Sequence, residues 1–260
     1  INLSQVDLDA WQKLLGDSAF VGAPAGVPVA GPAALNRNAA NAAMGYLPTT
    51  MAIRAKELLI EGRRLHNVVV GGSREGLTWR ANIDATELNG YVEFRQPGGI
   101  GAGRVYARLS RLSLEPGTAS DVEAILNEQP ASIPALDIVV EDMELRGKKL
   151  GRVEIDAVNR GASAAAREGV REWRLNKLNV ILPEAVLTAN GNWVALNAQA
   201  AAAAATNRAA RAAAERRRTV MNFKLEVADS GALLKRFGMG EVIRRGKGKL
   251  KARWPGWARR

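Results

Sequence analysis

Alternation of apolar and polar residues is the feature that most constrains how this chain can fold. Residues 77–84 read LTWRANID, with an apolar residue at every odd position and a polar one at every even position. Successive side chains of a β-strand point to opposite faces of its sheet, so this period of two predicts a strand with one apolar face. The pattern returns at residues 91–95, 105–110, 153–157 and 220–227, which predicts a mainly β fold.

Further strands are predicted where apolar runs are bounded by turn residues. They cover residues 51–60, 65–70, 135–145, 173–182, 185–196 and 247–254. Strict alternation places Val139, Met143 and Leu145 on one face of their strand, and Leu58 on the face opposite Ala55.

Three short helices are predicted beside these strands, at residues 7–16, 119–127 and 231–237. Asp7 can cap the first helix, and Asp229 or Ser230 can cap the third. In the second helix Ser120 and Glu123 have the spacing of a capping box. Residues 17–49 are rich in Ala, Gly, Pro and Asn and predict a long loop with one helical turn near 39–44. Residues 198–217 are almost entirely Ala and Arg and predict an insertion, partly helical or disordered, with no function of its own.

Two parts of the chain resemble each other. LLIEGRRL at 58–65 aligns with MELRGKKL at 143–150. A Trp-Arg pair follows each one, at Trp79 and Trp173, and an Asn-Gly pair follows later, at Asn89 and Asn190. The order predicts a repeated unit of strand, basic glycine turn and returning strand along one continuous sheet.

The residue types that carry most enzyme chemistry are scarce. The chain has no cysteine and a single histidine, His66, which lies in a predicted strand with no second ligand at metal-binding spacing. The glycine-rich run at 98–103 joins two strands instead of opening a helix, so it is not a phosphate-binding loop. Glu141 and Asp142 are adjacent in a strand and point to opposite faces, which prevents a general acid and base pair. We therefore expect a protein that is not an enzyme, with no cofactor and no metal.

The net charge of +11 is local. Residues 208–218 and 244–260 together contribute +12, and the rest of the chain sums to −1. A basic tail with Trp254 and Trp257 is open to three interpretations: contact with anionic lipid headgroups, nucleic-acid binding, or the polar face of a strand. No run of 18 apolar residues occurs. If the protein lies outside the cytoplasm, its signal or membrane anchor must therefore lie upstream, and we expect this chain to be a segment of a longer protein.

Several short motifs resemble one known family. They are DLDAW at 7–11, PALD at 134–137, ELRGKKLG at 144–151, WRL at 173–175, PEA at 183–185, TANGNW at 188–193, TVMNF at 219–223, DSGALL at 229–234, KGKL at 247–250 and WPGW at 254–257. Together they resemble the C-terminal half of YhdP-type proteins of the AsmA-like family, mainly between Pro134 and Trp257. The resemblance implies an envelope protein anchored in the inner membrane, in which a long twisted antiparallel sheet curls into a groove and conducts phospholipid towards the outer membrane. It implies no catalytic residues.

The resulting expectation is an elongated, twisted antiparallel sheet that forms an apolar groove, with a few short helices at its rim. Four segments are predicted: 1–49, a first β block at 50–116, a helical linker at 117–134, and a second β block at 135–257. The predicted groove residues are Leu77, Trp79, Ile83, Val92, Phe94, Val139, Val153, Ile155, Met221, Phe223 and Leu225. The expected partners are phospholipid acyl chains and the inner and outer membranes, with a periplasmic location.

Periodicity alone leaves an alternative open. The same apolar face could form the closed core of a β-sandwich that acts as an envelope scaffold and binds a protein partner. A basic nucleic-acid-binding module is a second alternative, supported only by the high pI. The family resemblance favours the groove.

Overall fold

A single β-sheet organises the computed structural model of the chain. The structure describes residues 2–10, 49–60, 62–97, 103–114, 133–159, 170–196, 217–240 and 245–258. The strands are β1 (Asn2–Asp7), β2 (Thr50–Ile60), β3 (Arg63–Glu75), β4 (Thr78–Asp84), β5 (Leu88–Arg95), β6 (Arg104–Leu114), β7 (Ala135–Leu145), β8 (Lys148–Asn159), β9 (Val170–Ile181), β10 (Ala185–Leu196), β11 (Arg217–Val227) and β12 (Gly248–Ala258). The helix α1 (Ser230–Arg236) separates β11 from β12.

The strands follow one another across the sheet in chain order, from β1 at one edge to β12 at the other. Neighbouring strands are antiparallel except for β1 with β2 and β6 with β7, which are parallel. The sheet is open and twisted. The prediction of a mainly β protein with one mostly antiparallel sheet is confirmed.

The strand β1 is absent from the predicted strands. Its residues NLSQVD alternate only weakly, and it is held by parallel pairing with residues 54–59, far along the chain. The predicted helix at 7–16 is described only up to Ala10, whose backbone N–H donates to the Asp7 carboxylate at 2.8 Å, as expected for a helix cap. The predicted helix at 119–127, most of the loop at 17–49 and most of the insertion at 198–217 lie outside the described residues.

Turns between strands lie at two rims of the sheet. The first rim contains the turns after β2, β4, β7 and β9, near residues 62, 85–87, 146–147 and 182–184. The second rim lies at the opposite ends of the strands and contains the turn at 76–77. Because β6 and β7 run parallel, the turns after β7 and β9 lie at the same rim as the turns after β2 and β4.

The predicted repeat is visible in two sets of strands, β2–β6 and β7–β11. In each set the second strand returns through a glycine turn, the third contains the Trp-Arg pair and the fourth contains Asn-Gly. Both Asn-Gly pairs lie at a register shift within a strand, near the start of β5 and in the middle of β10. The turns also match, because Ala85 N–H donates to Leu88 O at 2.8 Å and Leu182 N–H donates to Ala185 O at 2.9 Å.

The glycines of the two Asn-Gly pairs allow close packing of the next strand. A Cβ atom on Gly90 would collide with the carbonyl oxygen of Arg108, and one on Gly191 would collide with that of Val220. Gly90 also has a φ of 142°, which a residue with a side chain rarely adopts. Asn-Gly therefore marks a strand bulge here and not a hairpin turn.

A second irregularity changes which residues share a face. In β2, Ala55 and Leu58 are both buried although they are three residues apart, and Leu58 packs on Val68 of β3. The expectation that Leu58 lies opposite Ala55 is therefore wrong. The register of β2 with β3 is the same on both sides of Asn67, but the φ of 55° at Asn67 breaks the alternation of side chains.

The helix α1 begins and ends as its sequence indicates. Asp229 is its N-cap and accepts a hydrogen bond from Ala232 N–H at 3.1 Å. Lys235 and Arg236 in the last turn favour the negative end of the helix dipole. The prediction for residues 231–237 is confirmed within one residue.

Candidate functional site

Three rows of paired residues form an apolar face across the sheet. Paired residues on neighbouring strands point to the same side, so the register traces each row. The middle row is Met51, Gly72, Ala81, Val92, Ala107, Ile138, Ile155, Leu178, Ala189, Phe223 and Ala252. It crosses from β2 to β12 without a polar side chain.

The other two rows flank the middle row towards the two rims. The first-rim row is Ile53, Val70, Ile83, Gly90, Leu109, Val140, Val153, Val180, Leu187, Leu225 and Leu250. The second-rim row is Arg74, Trp79, Phe94, Val105, Leu136, Ala157, Leu175, Gly191, Met221 and Trp254. Arg74 is the one charged residue in the three rows.

The opposite face of the same strands is polar. One row there contains Lys251, Lys224, Thr188, Asn179, Glu154, Val139, Arg108, Tyr91 and Asn82. Its central carboxylate is paired: Glu154 accepts from Lys177 Nζ at 3.0 Å and from Arg152 Nε at 3.0 Å. These hydrogen bonds lower the pKa of the Glu154 carboxyl, and the one from Lys177 has the largest effect. The two faces therefore differ sharply in what they can bind.

Parts of the apolar face remain open to solvent among the described residues. Val140 and Val153 are buried, but Phe94 is 36% exposed, Leu250 60% and Trp254 68%. The exposed fraction rises towards β12, whose outer side has no neighbouring strand among the described residues. A fully sealed core would bury these side chains, so this face is available for contact along part of its length.

Nine of the predicted groove residues lie together on the apolar face. They are Trp79, Ile83, Val92, Phe94, Val153, Ile155, Met221, Phe223 and Leu225. Leu77 lies in the turn at the second rim and is 41% exposed. Whether any of them contacts lipid stays a prediction.

Val139 lies on the polar face, paired with Glu154 and Arg108. The expectation that it shares a face with Met143 and Leu145 is wrong, because the register of β7 shifts between Val140 and Met143. The strand β7 has one extra residue there relative to β8. Its apolar-face residues therefore have even numbers before the shift and odd numbers after it.

The prediction missed apolar-face residues in several strands, including β7, β9, β10 and β12. In β7 these are Ile138 and Val140, which strict alternation from Met143 and Leu145 places on the opposite face. In β9 and β10, Leu175 and Trp193 are buried at 5% and 8%. In β12, Leu250 and Trp254 alternate with Lys249, Lys251 and Arg253. This alternation in the sequence indicates an apolar face despite the many basic residues.

The polar face has shallow depressions. One of about 620 Å³ is lined chiefly by amides and by Glu172 and Arg174. Its amides bond to their neighbours: Asn222 Nδ2 donates to Asn190 Oδ1 at 3.0 Å, and Asn192 Nδ2 to Glu172 Oε1 at 3.2 Å. A hydrated surface of this kind does not suit an acyl chain.

Two equivalent glutamates hold the first rim together. Glu87 follows β4 and Glu184 follows β9, at matching positions of the two sets of strands. Glu87 accepts from the backbone N–H of His66 at 2.8 Å and lies 2.6 Å from its Nδ1. Glu184 accepts from Arg236 Nη2 at 2.6 Å and Nε at 3.0 Å, which ties α1 to the rim. The single histidine is thus part of a structural contact.

Both carboxyls are stabilised in their charged form. The hydrogen bonds from Arg236 lower the pKa of Glu184. Burial works to raise the pKa of Glu87, but the backbone and side-chain hydrogen bonds of His66 together outweigh it, so this pKa is also lowered.

We expect acid to release α1 from the first rim. A carboxyl whose pKa is lowered on folding stabilises the folded state above its ordinary pKa near 4.5, and that contribution is lost as the pH falls through the lower, folded value. Glu184→Gln should release α1 at neutral pH, with amide exchange at residues 232–237 about tenfold faster, because a charged hydrogen bond contributes about 1.5 kcal/mol. Exchange measured by NMR tests this. Glu75→Gln, at an exposed ion pair, is the control and should leave α1 unchanged. Equal exchange in Glu184→Gln and the unmodified chain would contradict the assignment.

The described residues hold no group of three or more His, Cys, Asp and Glu side chains placed to bind a metal. No helix in the part of the chain that the structure describes is long and apolar enough to cross a membrane.

Comparison with known proteins gives one match, to a family model. No curated protein and no solved structure matches the chain. The family model described as YhdP protein matches residues 1–258, and so covers both sets of strands and the edge strand β1. The resemblance noticed after Pro134 thus extends over the first set of strands as well. The chain belongs to the YhdP family of envelope proteins.

Proposed function

We propose that the apolar face shields the acyl chains of phospholipids and lets them move between the inner and outer membranes. The observation that supports this most is the continuity of the middle row, which crosses eleven strands from Met51 to Ala252 with no polar side chain. Membership of an envelope family is consistent with the proposal.

The dimensions of the face suit a lipid chain. Strands are about 4.8 Å apart, so ten steps from β2 to β12 make a path roughly 48 Å long. The outer rows are four residues apart along a strand, or about 13 Å. An acyl chain occupies half of a bilayer core that is about 30 Å thick, or roughly 15 Å. A chain lying along the strands would therefore cover the three rows.

The chemistry of the face favours movement over tight binding. Each methylene removed from water contributes about 0.8 kcal/mol, and this contribution has no preferred direction. Neighbouring positions of the middle row, such as Ile138, Ile155 and Leu178, offer nearly equal contacts. A lipid can step between them without breaking a hydrogen bond.

In this proposal the chain acts in the periplasm, tethered to the inner membrane through a segment outside it, and supports the lipid balance of the outer membrane. It performs no catalysis and binds no nucleic acid. A protein partner that covers the same apolar face is the competing function, and the experiment below separates the two.

Photo-crosslinking in cells tests the proposal. Crosslinking residues placed at Ile83, Ile155 and Phe223 on the apolar face should capture phospholipid, detected by mass spectrometry of the purified adducts. The matched controls Asp84, Glu154 and Lys224 are their chain neighbours on the polar face and should capture none.

Two results would count against the conduit. Equal lipid capture on both faces would show nonspecific labelling and remove the role of the apolar face. Capture of one protein in place of lipid at all three apolar positions would support the scaffold function.

A further inference from the structure

Positive charges crowd the polar face where β11 meets the edge strand β12. Lys224 of β11 pairs directly with Lys251 of β12, and Lys249 and Arg253 lie on the same face, two residues to either side of Lys251. Like charges directly opposite each other in a sheet are destabilising. The four cations have a single carboxylate among the residues paired with them, that of Glu226. The arrangement therefore calls for a negative charge that the described residues do not supply at this place.

Glu226 neutralises only part of this charge. Its Oε1 accepts from Lys224 Nζ and from Lys249 Nζ, each at 3.1 Å. Lys251 and Arg253 are exposed, and neither forms an ion pair with any residue that the structure describes. These two cations are therefore open to a ligand from solution.

The equivalent place in the first set of strands is balanced within the sheet. Arg108 and Lys224 both lie one residue from the middle row towards the first rim. Asp137 and Arg253 both lie one residue from the middle row towards the second rim. In the first set Arg108 Nη2 donates to Asp137 Oδ1 at 2.8 Å. At β12 a cation replaces this carboxylate, so the unbalanced charge is particular to β12 and is not shared by the polar face as a whole.

A shallow depression of about 460 Å³ lies among these side chains. Its polar lining consists of Thr188, Asn190, Asn222, Lys224, Lys251 and Arg253, with no acidic residue. Ammonium and guanidinium groups donate strong hydrogen bonds to oxyanions, and the planar fork of an arginine can donate two of them in parallel. The amides and the hydroxyl can add neutral donors. The lining therefore suits an anion with several oxygen atoms.

We propose that Lys224, Lys251 and Arg253 bind the phosphate group of a water-soluble ion or monoester on the polar face. A phosphate group has up to two negative charges and several acceptor oxygens near neutral pH, so one group can contact all three cations. A carboxylate offers one charge and two oxygens. The sheet itself separates this site from the apolar face, so the inference goes beyond the proposed lipid function and does not depend on it.

Isothermal titration calorimetry of the whole chain with inorganic phosphate tests the site. Lys251→Gln and Arg253→Gln should each weaken phosphate binding about tenfold, because each removes a hydrogen bond between charged groups. Lys249→Gln is the matched control. It removes the same charge from the same face of β12, but Lys249 is held by Glu226 and does not line the depression, so phosphate binding should change little.

Three results with inorganic phosphate would overturn the site. Equal weakening by all three substitutions would mean that phosphate responds to the overall positive charge. Unchanged binding in Lys251→Gln and Arg253→Gln would place the bound phosphate elsewhere. The absence of binding to the unmodified chain would mean that these cations are only solvated.

A second probe distinguishes a soluble phosphate from a lipid headgroup. Short-chain phosphatidylglycerol, used below the concentration at which it forms micelles, should bind at this site no more tightly than inorganic phosphate does. If it binds more tightly and Lys251→Gln weakens it, the site takes a lipid headgroup and the proposal of a separate site is wrong. Failure of the lipid function itself would appear in the crosslinking on the apolar face and would leave phosphate binding unchanged.

Discussion

Replacing Gly191 with valine should lower the free energy of unfolding by about 3 kcal/mol, because there is no room for a side chain at this point of β10. A Cβ atom there would collide with the carbonyl oxygen of Val220 and lie 2.5 Å from Met221 Sδ and 3.0 Å from Met221 Cα. The sulfur atom can move, but the Val220 carbonyl is part of the backbone of β11. The strand pair must therefore separate or lose its register.

Urea denaturation followed by circular dichroism measures this loss. Gly71→Val is the matched control, since nothing lies within 4 Å of a Cβ placed on Gly71 and valine favours strands. It should be neutral or slightly stabilising. Gly90→Val, at the equivalent position of the first set, should be as harmful as Gly191→Val. Equal midpoints for Gly191→Val and Gly71→Val would mean that the close approach of β10 and β11 is not needed.

Replacing Phe223 with glutamate should reduce bound lipid at least about tenfold. Phe223 lies at the centre of β11 between two alanines, Ala189 and Ala252, so its ring covers the face where its neighbours are small. A carboxylate keeps its water, and an acyl chain passing over it loses contact for about two methylenes, or roughly 1.6 kcal/mol. That free energy corresponds to about a factor of ten in binding.

Lipid extraction and mass spectrometry of the purified chain would measure the lipid retained per protein molecule. Phe223→Leu keeps the surface apolar and should retain most of the lipid. Lys224→Glu makes a larger change of charge on the polar face and should have no effect on lipid. If Phe223→Glu, folded by circular dichroism, retains the normal amount, lipid does not pass over the middle row.

The alternation in the sequence predicted most strands correctly, but it failed where the backbone is irregular. Val139 was placed on the wrong face because the register of β7 with β8 shifts between Val140 and Met143. Leu58 was placed on the wrong face because the positive φ of Asn67 in the neighbouring strand breaks the alternation there, although the register stays the same. Trp79, Ile83, Ile155 and Phe223 were placed correctly because no irregularity separates them from the apolar neighbours used to assign them.

The pairing of distant strands was beyond the reach of local patterns. The parallel contacts of β1 with β2 and of β6 with β7 join residues far apart in the chain, and no turn motif announces them. The position of Arg74 was not visible in the sequence either, because only the register of β3 with β4 places it at the end of an apolar row.

The parallel junction between β6 and β7 makes the sheet modular. Each set of five strands starts at the second rim. The first strand of the second set, β7, starts there beside the start of β6, the last strand of the first set. Adding or removing a whole set would therefore change the reach of the molecule in steps of about 24 Å and leave the facing of every row unchanged. If the proposed lipid function holds, duplication alone could match such a protein to the gap between two membranes without changing its apolar surface.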